Sequence, residues 1–87
     1  MSGSDGGGAS LPAPDVELDL AGLKCPLPVL RARKALAALA PGGRVRLVCT
    51  DPMAAIDIPN LMRERGDVLE HQWRDGARLV FVLRRAG

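Results

Sequence analysis

Aromatic side chains are almost absent from this chain of 87 residues, which has one tryptophan, one phenylalanine and no tyrosine. Its core must therefore be built from Leu, Val, Ile and Ala, which suits a thin sheet covered by helices. RNA bases would find no interleaved aromatics to stack on, so direct nucleic-acid binding is not expected. The net charge of +2 is also too small to argue for it. The two cysteines, Cys25 and Cys49, make neither a disulfide framework nor a CxxC redox pair. With His71 as the sole histidine, they also fall short of a zinc site. No apolar run approaches membrane-spanning length, and no signal peptide is visible, so a reducing cytoplasm is the expected compartment.

Acids are missing from one long stretch. From Leu20 to Thr50 the chain carries Lys24, Arg31, Arg33, Lys34, Arg44 and Arg46 and no acid, whereas acids dominate from Asp51 to Asp75. The plain reading of the basic run is a solvated face; the sharper one is a docking surface for an acidic partner.

Residues 1–14 are largely Gly, Ser, Ala and Pro with almost nothing to bury, the composition of a flexible tail. Residues 15–87 read as a single small domain, a size at which one core stabilises only marginally. Val16, Leu18 and Leu20 alternate with Glu17 and Asp19, the pattern of a half-buried strand. After a loop containing Cys25, Pro26 or Pro28 suits a first helical turn, where the missing N–H costs nothing. Val29, Ala32, Leu36, Leu39 and Ala40 share one helical face, and the run PGG at 41–43 ends the helix. The run RVRLVCT, residues 44–50, alternates again, with Val45, Leu47 and Cys49 on one side.

Thr50 or Asp51 then offers an N-cap, but Pro59 argues against one uninterrupted helix from Pro52 onwards. The expected second helix is capped by Asp57, opens at Ile58 and Pro59, faces the sheet with Ile58, Leu61 and Met62, and stops at Gly66. Two strands, DVLEHQW and RLVFVLR, follow around a turn at RDGA, where Asp75 and Gly76 are a hairpin signal. The order βαβαββ predicts an α+β fold, a two-layer sandwich with helices on one face of one sheet. Glu17, Asp19, Arg44 and Arg46 are then expected on the open face.

Cys25 is the residue with chemistry to offer. A strand-to-helix turn places it near converging N–H groups and the positive end of a helix dipole, which favour a thiolate. Lys24 and, further along, Arg31 or Lys34 add positive potential, while Pro26 and Pro28 stiffen the backbone that presents the sulfur. The alternative is a small apolar residue packed beneath the loop, and the residues alone leave both readings open. Cys49, in phase with Val45 and Leu47, reads as core; a bridge to Cys25 is not demanded. Asp51 reads as a cap at the same sheet edge as Cys25, and His71 as a solvated or packed strand residue. Leu27 and Leu30 fall off the core face of the helix and offer an apolar contact beside the thiol. No nucleophile, base and orienter can be assembled into a catalytic set.

The runs DLAGLKCPLPVLRARKALAALAPG and TDPMAAIDIP, followed by a helix ending in Gly and a terminal hairpin, resemble the TusA/SirA family of small sulfur carriers over residues 16–85. The resemblance implies a four-stranded mixed sheet of order 1-2-4-3, its last strand antiparallel to the rest. It implies that Cys25 carries sulfane sulfur as a persulfide. Lys24, Pro26, Pro28 and Asp51 are then the expected supporting residues, and Leu27, Leu30, Arg31 and Lys34, read above from the helix face and the charge run, the expected docking residues. The implied partners are a sulfur donor, such as a cysteine desulfurase, and an acceptor protein. The implied setting is tRNA 2-thiouridine formation, molybdenum-cofactor enzymes or sulfur oxidation. No cofactor and no membrane are implied, and a monomer is expected. Such a carrier is a relay rather than a self-sufficient enzyme, since its partners supply the acid–base chemistry. The competing reading is a regulatory interaction module in which CPLP is a rigid helix start. One departure is Asp67 after Gly66, where many members have histidine. From the strand phase, brief alkylation of the native protein is expected to label Cys25 and spare Cys49; rapid, equal labelling would refute that phase.

Overall fold

The computed structural model describes residues 13–87, so nearly all of the expected tail lies outside the described residues. Four strands and two helices follow in the expected order: β1 (Val16–Leu20), α1 (Leu27–Ala38), β2 (Arg44–Cys49), α2 (Ala54–Arg65), β3 (Val68–Asp75) and β4 (Arg78–Arg84). They form one sheet of order β1-β2-β4-β3. β1 pairs in parallel with β2, and β4 runs antiparallel to both its neighbours, β2 and β3.

Alternation decides which face of the sheet meets the helices. Leu20, Val45, Leu47, Cys49, Leu79, Phe81 and Leu83 pack with Ala32 and Leu36 of α1 and with Ile58, Leu61 and Met62 of α2. Phe81, wholly buried on the central strand β4, sits across from Leu47. Glu17 and Arg46 face away on the open side, 3.9 Å apart, and Arg44 shares Glu70 with Arg84 there. That side is less polar than its charges suggest, because Val80 and Val82 are also nearly covered.

Three expectations need correction. α2 begins at Ala54, with Pro59 inside it, rather than at Ile58. Its first turn is closed by short-range bonds from the Ala54, Ala55 and Ile56 N–H groups to the carbonyls of Asp51, Pro52 and Met53. Pro59 then removes only the donor that would reach Ala55. The roughly 3 kcal/mol cost of an interior proline is outweighed by burying Ile58, Leu61 and Met62, at roughly 1.5–3 kcal/mol each. Ala40 is exposed because α1 ends two residues earlier, with Leu39 already extended. The hairpin turns on Gly76 and Ala77, with Asp75 still in β3 and paired to Arg78. Gly76 takes the positive φ of 61° that opens this two-residue loop. Gly66 ends α2 as expected, in the left-handed conformation with its N–H on the Met62 carbonyl.

Phe81→Ala is expected to destabilise the fold by about 3–5 kcal/mol. Urea unfolding checks this, and a midpoint close to the parent's would contradict the central place given to that ring.

Candidate functional site

The two strand-to-helix junctions, β1–α1 and β2–α2, lie side by side because β1 and β2 are parallel neighbours. Side chains at the end of β2 hold the loop that carries the thiol. Thr50 Oγ1 accepts the Gly22 N–H at 2.8 Å, and Asp51 Oδ2 accepts the Cys25 N–H at 2.7 Å. Asp51 Oδ1 accepts the Met53 N–H at 3.0 Å, so one carboxylate joins the thiol loop to the approach of α2. The bond from Cys25, followed by that from Met53, holds the Asp51 carboxyl below the usual carboxylate range. Asp51 is thus more than the cap read from sequence.

The sulfur is exposed and faces α2, where Cys25 Sγ donates to Asp57 Oδ2 at 3.1 Å. That hydrogen bond raises the thiol pKa above its ordinary value, with desolvation and the charges of Asp57 and Asp51 adding to it. The expected acidified thiol is therefore overturned. α1 begins at Leu27, two residues past the sulfur, and the Cys25 N–H is already engaged by Asp51. A carboxylate in direct contact outweighs the partial charge of a helix end beyond it. Asp57, expected to cap α2, instead lies in its first turn and serves the thiol.

A groove of about 270 Å³ between α1 and α2 is lined by Cys25, Val29, Arg33, Asp57, Asn60 and Glu64, among others. Arg33 and Glu64 face each other at 3.8 Å, both largely exposed, a weak pair that a docking group can displace. Lys24 and Pro26 are exposed beside the thiol, while Pro28 is buried and secures α1. Leu27 and Leu30 stand out from α1, 46% and 51% exposed, as unpartnered apolar side chains. Arg31 and Lys34 line a different groove, on the β1 side of the helix. Asp57 and Arg33 are the residues that sequence reasoning missed. The TDP and DIP acids were the available signal for Asp57, and it was obscured by reading Pro59 as a helix start.

Cys49 is buried and unbridged, and burial pushes its thiol up to about 11. His71 is exposed on β3, away from the thiol. Among the described residues no cluster of three His, Cys, Asp or Glu is placed to hold a metal ion. No helix of the described residues is long and apolar enough to cross a membrane.

A family model described as Sulfurtransferase TusA matches residues 16–85. The chain belongs to the TusA family. It is 35% identical over 72 residues to the sulfur carrier protein TusA of Allochromatium vinosum, spanning 83% of this chain and 95% of the relative. It is 36% identical over 73 residues to the sulfur carrier protein TusA of Pseudomonas aeruginosa, covering 83% and 92%. The crystal structure of a SirA-like protein from Desulfitobacterium hafniense superposes with a TM-score of 0.73 at 26% identity, covering 83% of this chain and 99% of that one. At the departing position, Asp67 accepts bonds from Arg65 Nε at 2.7 Å and from the Ala86 N–H at 2.9 Å. Burial pushes its carboxyl up, but those partners outweigh it and hold it below the usual range. Here the position ties the end of α2 to the C-terminal residues.

Alkylation follows the thiolate fraction, so the midpoint of its pH profile should lie above the ordinary thiol value. Asp57→Asn removes the charge that disfavours the thiolate, which should move the pH profile of Cys25 labelling to lower pH. Coincident profiles for parent and variant would show that Asp57 does not control this thiol.

Proposed function

We propose that the protein is a sulfur carrier that holds sulfane sulfur as a persulfide on Cys25 and relays it from a donor protein to an acceptor protein. The observation that carries this reading is the exposed Cys25 thiol at a groove between two helices, fixed through its backbone by Asp51 and through its sulfur by Asp57. Membership of the TusA family supports it. Loading is an exchange at sulfur. Cys25 Sγ attacks the outer sulfur of a donor persulfide, a new S–S bond forms as the donor's breaks, and the donor cysteine leaves as a thiolate. The proton released by Cys25 passes to that leaving thiolate, so no oxidant or reductant is consumed. Delivery is the same step in reverse sense: an acceptor nucleophile takes the outer sulfur and Cys25 is left as a thiol.

Asp57 sets the condition for loading. While it accepts the S–H hydrogen bond, it biases the thiol further toward its protonated form. A donor that presents a cation to Asp57 removes that bias and makes the thiol easier to ionise at the moment of docking. Leu27 and Leu30 supply an apolar contact at the rim, and Arg33 an adjacent charge. A cysteine desulfurase is a fitting donor class, tRNA 2-thiouridine formation a fitting destination, and the cytoplasm a fitting compartment. The fold needs no catalytic set of its own for this work.

Incubation with a cysteine desulfurase and cysteine should add one sulfur, about 32 Da, to Cys25. Cys25→Ser should abolish the adduct and the relay while leaving the fold intact, because that side chain is exposed. Cys49→Ser should keep the adduct and lose about 1–3 kcal/mol of stability from a buried hydroxyl. Intact-protein mass spectrometry and thermal unfolding check these outcomes. Sulfur on Cys49, or none on Cys25 with several donors, would leave the interaction-module reading in its place.

A further inference from the structure

Arg31 and Lys34 belong to the acid-free stretch, yet the thiol groove leaves them unused. Both line a second groove, about 510 Å³, on the other side of α1. Its remaining walls are Ala35 and Ala38 of α1 and Val16 and Leu18 of β1.

Two features of this groove point to a ligand. First, β1 is an edge of the sheet: among the described residues it pairs only with β2. Its outer backbone groups are a template for another strand. Val16 and Leu18 point to the helix side and are only partly buried against the core, whereas Leu20 in the same phase is buried. α1 packs mainly on β2 and α2 and does not lie over the strand edge. Second, the groove is positively charged without compensation. Neither Arg31 nor Lys34 forms an ion pair with any described residue. The acids of β1 do not help, because Glu17 and Asp19 alternate to the opposite face, where Glu17 meets Arg46.

We propose that this groove docks an extended acidic segment of a partner protein, which adds to the sheet as a fifth strand beside β1. Alternate residues of that segment face α1. An aliphatic one rests on Val16, Leu18, Ala35 and Ala38, and acids on either side of it meet Arg31 and Lys34. β1 has five residues, so the segment needs about as many. The apolar floor and the absence of an aromatic wall favour a peptide over RNA, although phosphates would also be drawn to the two cations. Cys25, Arg33 and Asp57 open on the α2 side of α1, so a partner held here leaves the sulfur reachable. The inference rests on the placement of β1 and α1 and not on the sulfur-carrier reading, and its test does not involve Cys25.

The test is an amide-resolved NMR titration of the full chain with an acetylated, amidated probe, Thr-Glu-Thr-Leu-Thr-Glu-Thr, which puts both glutamates and the leucine on one face. Saturable shifts should appear along Val16 to Leu20 and from Arg31 to Ala38, and not at Cys25. At low salt, replacing both glutamates of the probe by glutamine should weaken binding roughly tenfold, the cost of about one well-placed charge pair. The double variant Arg31→Glu, Lys34→Glu should reverse the preference and take a probe with lysine in place of glutamate. No shifts, shifts elsewhere, or equal affinity for the glutamine probe would overturn the proposal. Tighter binding of a uridine oligonucleotide to the same residues would overturn it in favour of RNA. Binding seen only after deletion of residues 1–12 would assign the groove to the chain's own N-terminal segment.

Discussion

Parallel pairing of β1 with β2 is the constraint on which the site depends. The register sets Leu20 against Cys49, so both strands end at the same edge of the sheet and each hands the chain to a helix on the same face. A helical crossover between parallel neighbours is the arrangement that keeps α1 packed on the sheet. Its consequence is chemical. Gly22 and Cys25 come within hydrogen-bond reach of Thr50 and Asp51, residues more than 25 positions further along the chain. A slip of one residue would turn Leu20 and Cys49 out of the core, so the burial that holds the strands in register also holds the thiol loop in place.

The electrostatics of that edge oppose what a strand-to-helix cysteine suggests. A helix end contributes a partial charge spread over several N–H groups, but Asp51 has claimed the one on Cys25 and Asp57 touches the sulfur directly. Distance decides between them. The result is an exposed thiol biased toward its protonated form, a reserved nucleophile rather than an activated one. For the proposed relay this has a physical logic: an exposed sulfur that ionises readily would react with many electrophiles, whereas one whose ionisation Asp57 opposes is more reactive toward a protein that neutralises Asp57.

α1 shows how one run of basic residues becomes two surfaces. Residues one or two apart on a helix do not share a face. Arg33 therefore turns toward α2 and the thiol groove, while Arg31 and Lys34 turn toward β1. Ala32 and Leu36, wholly buried between them, anchor the helix so that neither surface can roll into the other.

Much of this protein was legible in sequence, because local patterns determine it. Alternation in Val16–Leu20 and Arg44–Cys49 set strand phase and the burial of Cys49, and the helical period of Ala32, Leu36, Ile58 and Leu61 set which faces are covered. The CPLP run marked the loop that carries the thiol, and TDP the neighbouring junction before α2. Pro59 misled for an energetic reason: its cost is local and visible, while the burial that outweighs it exists only in the assembled core. The partners of Cys25 were hidden for a geometric one. Asp57 is 32 positions away, and no local pattern says that its carboxylate will meet the sulfur. Sequence by itself determined where the thiol stands and that the other cysteine is buried. Only the tertiary structure, by setting two junctions side by side, decided that a carboxylate holds the thiol's proton and that the basic helix has two distinct sides.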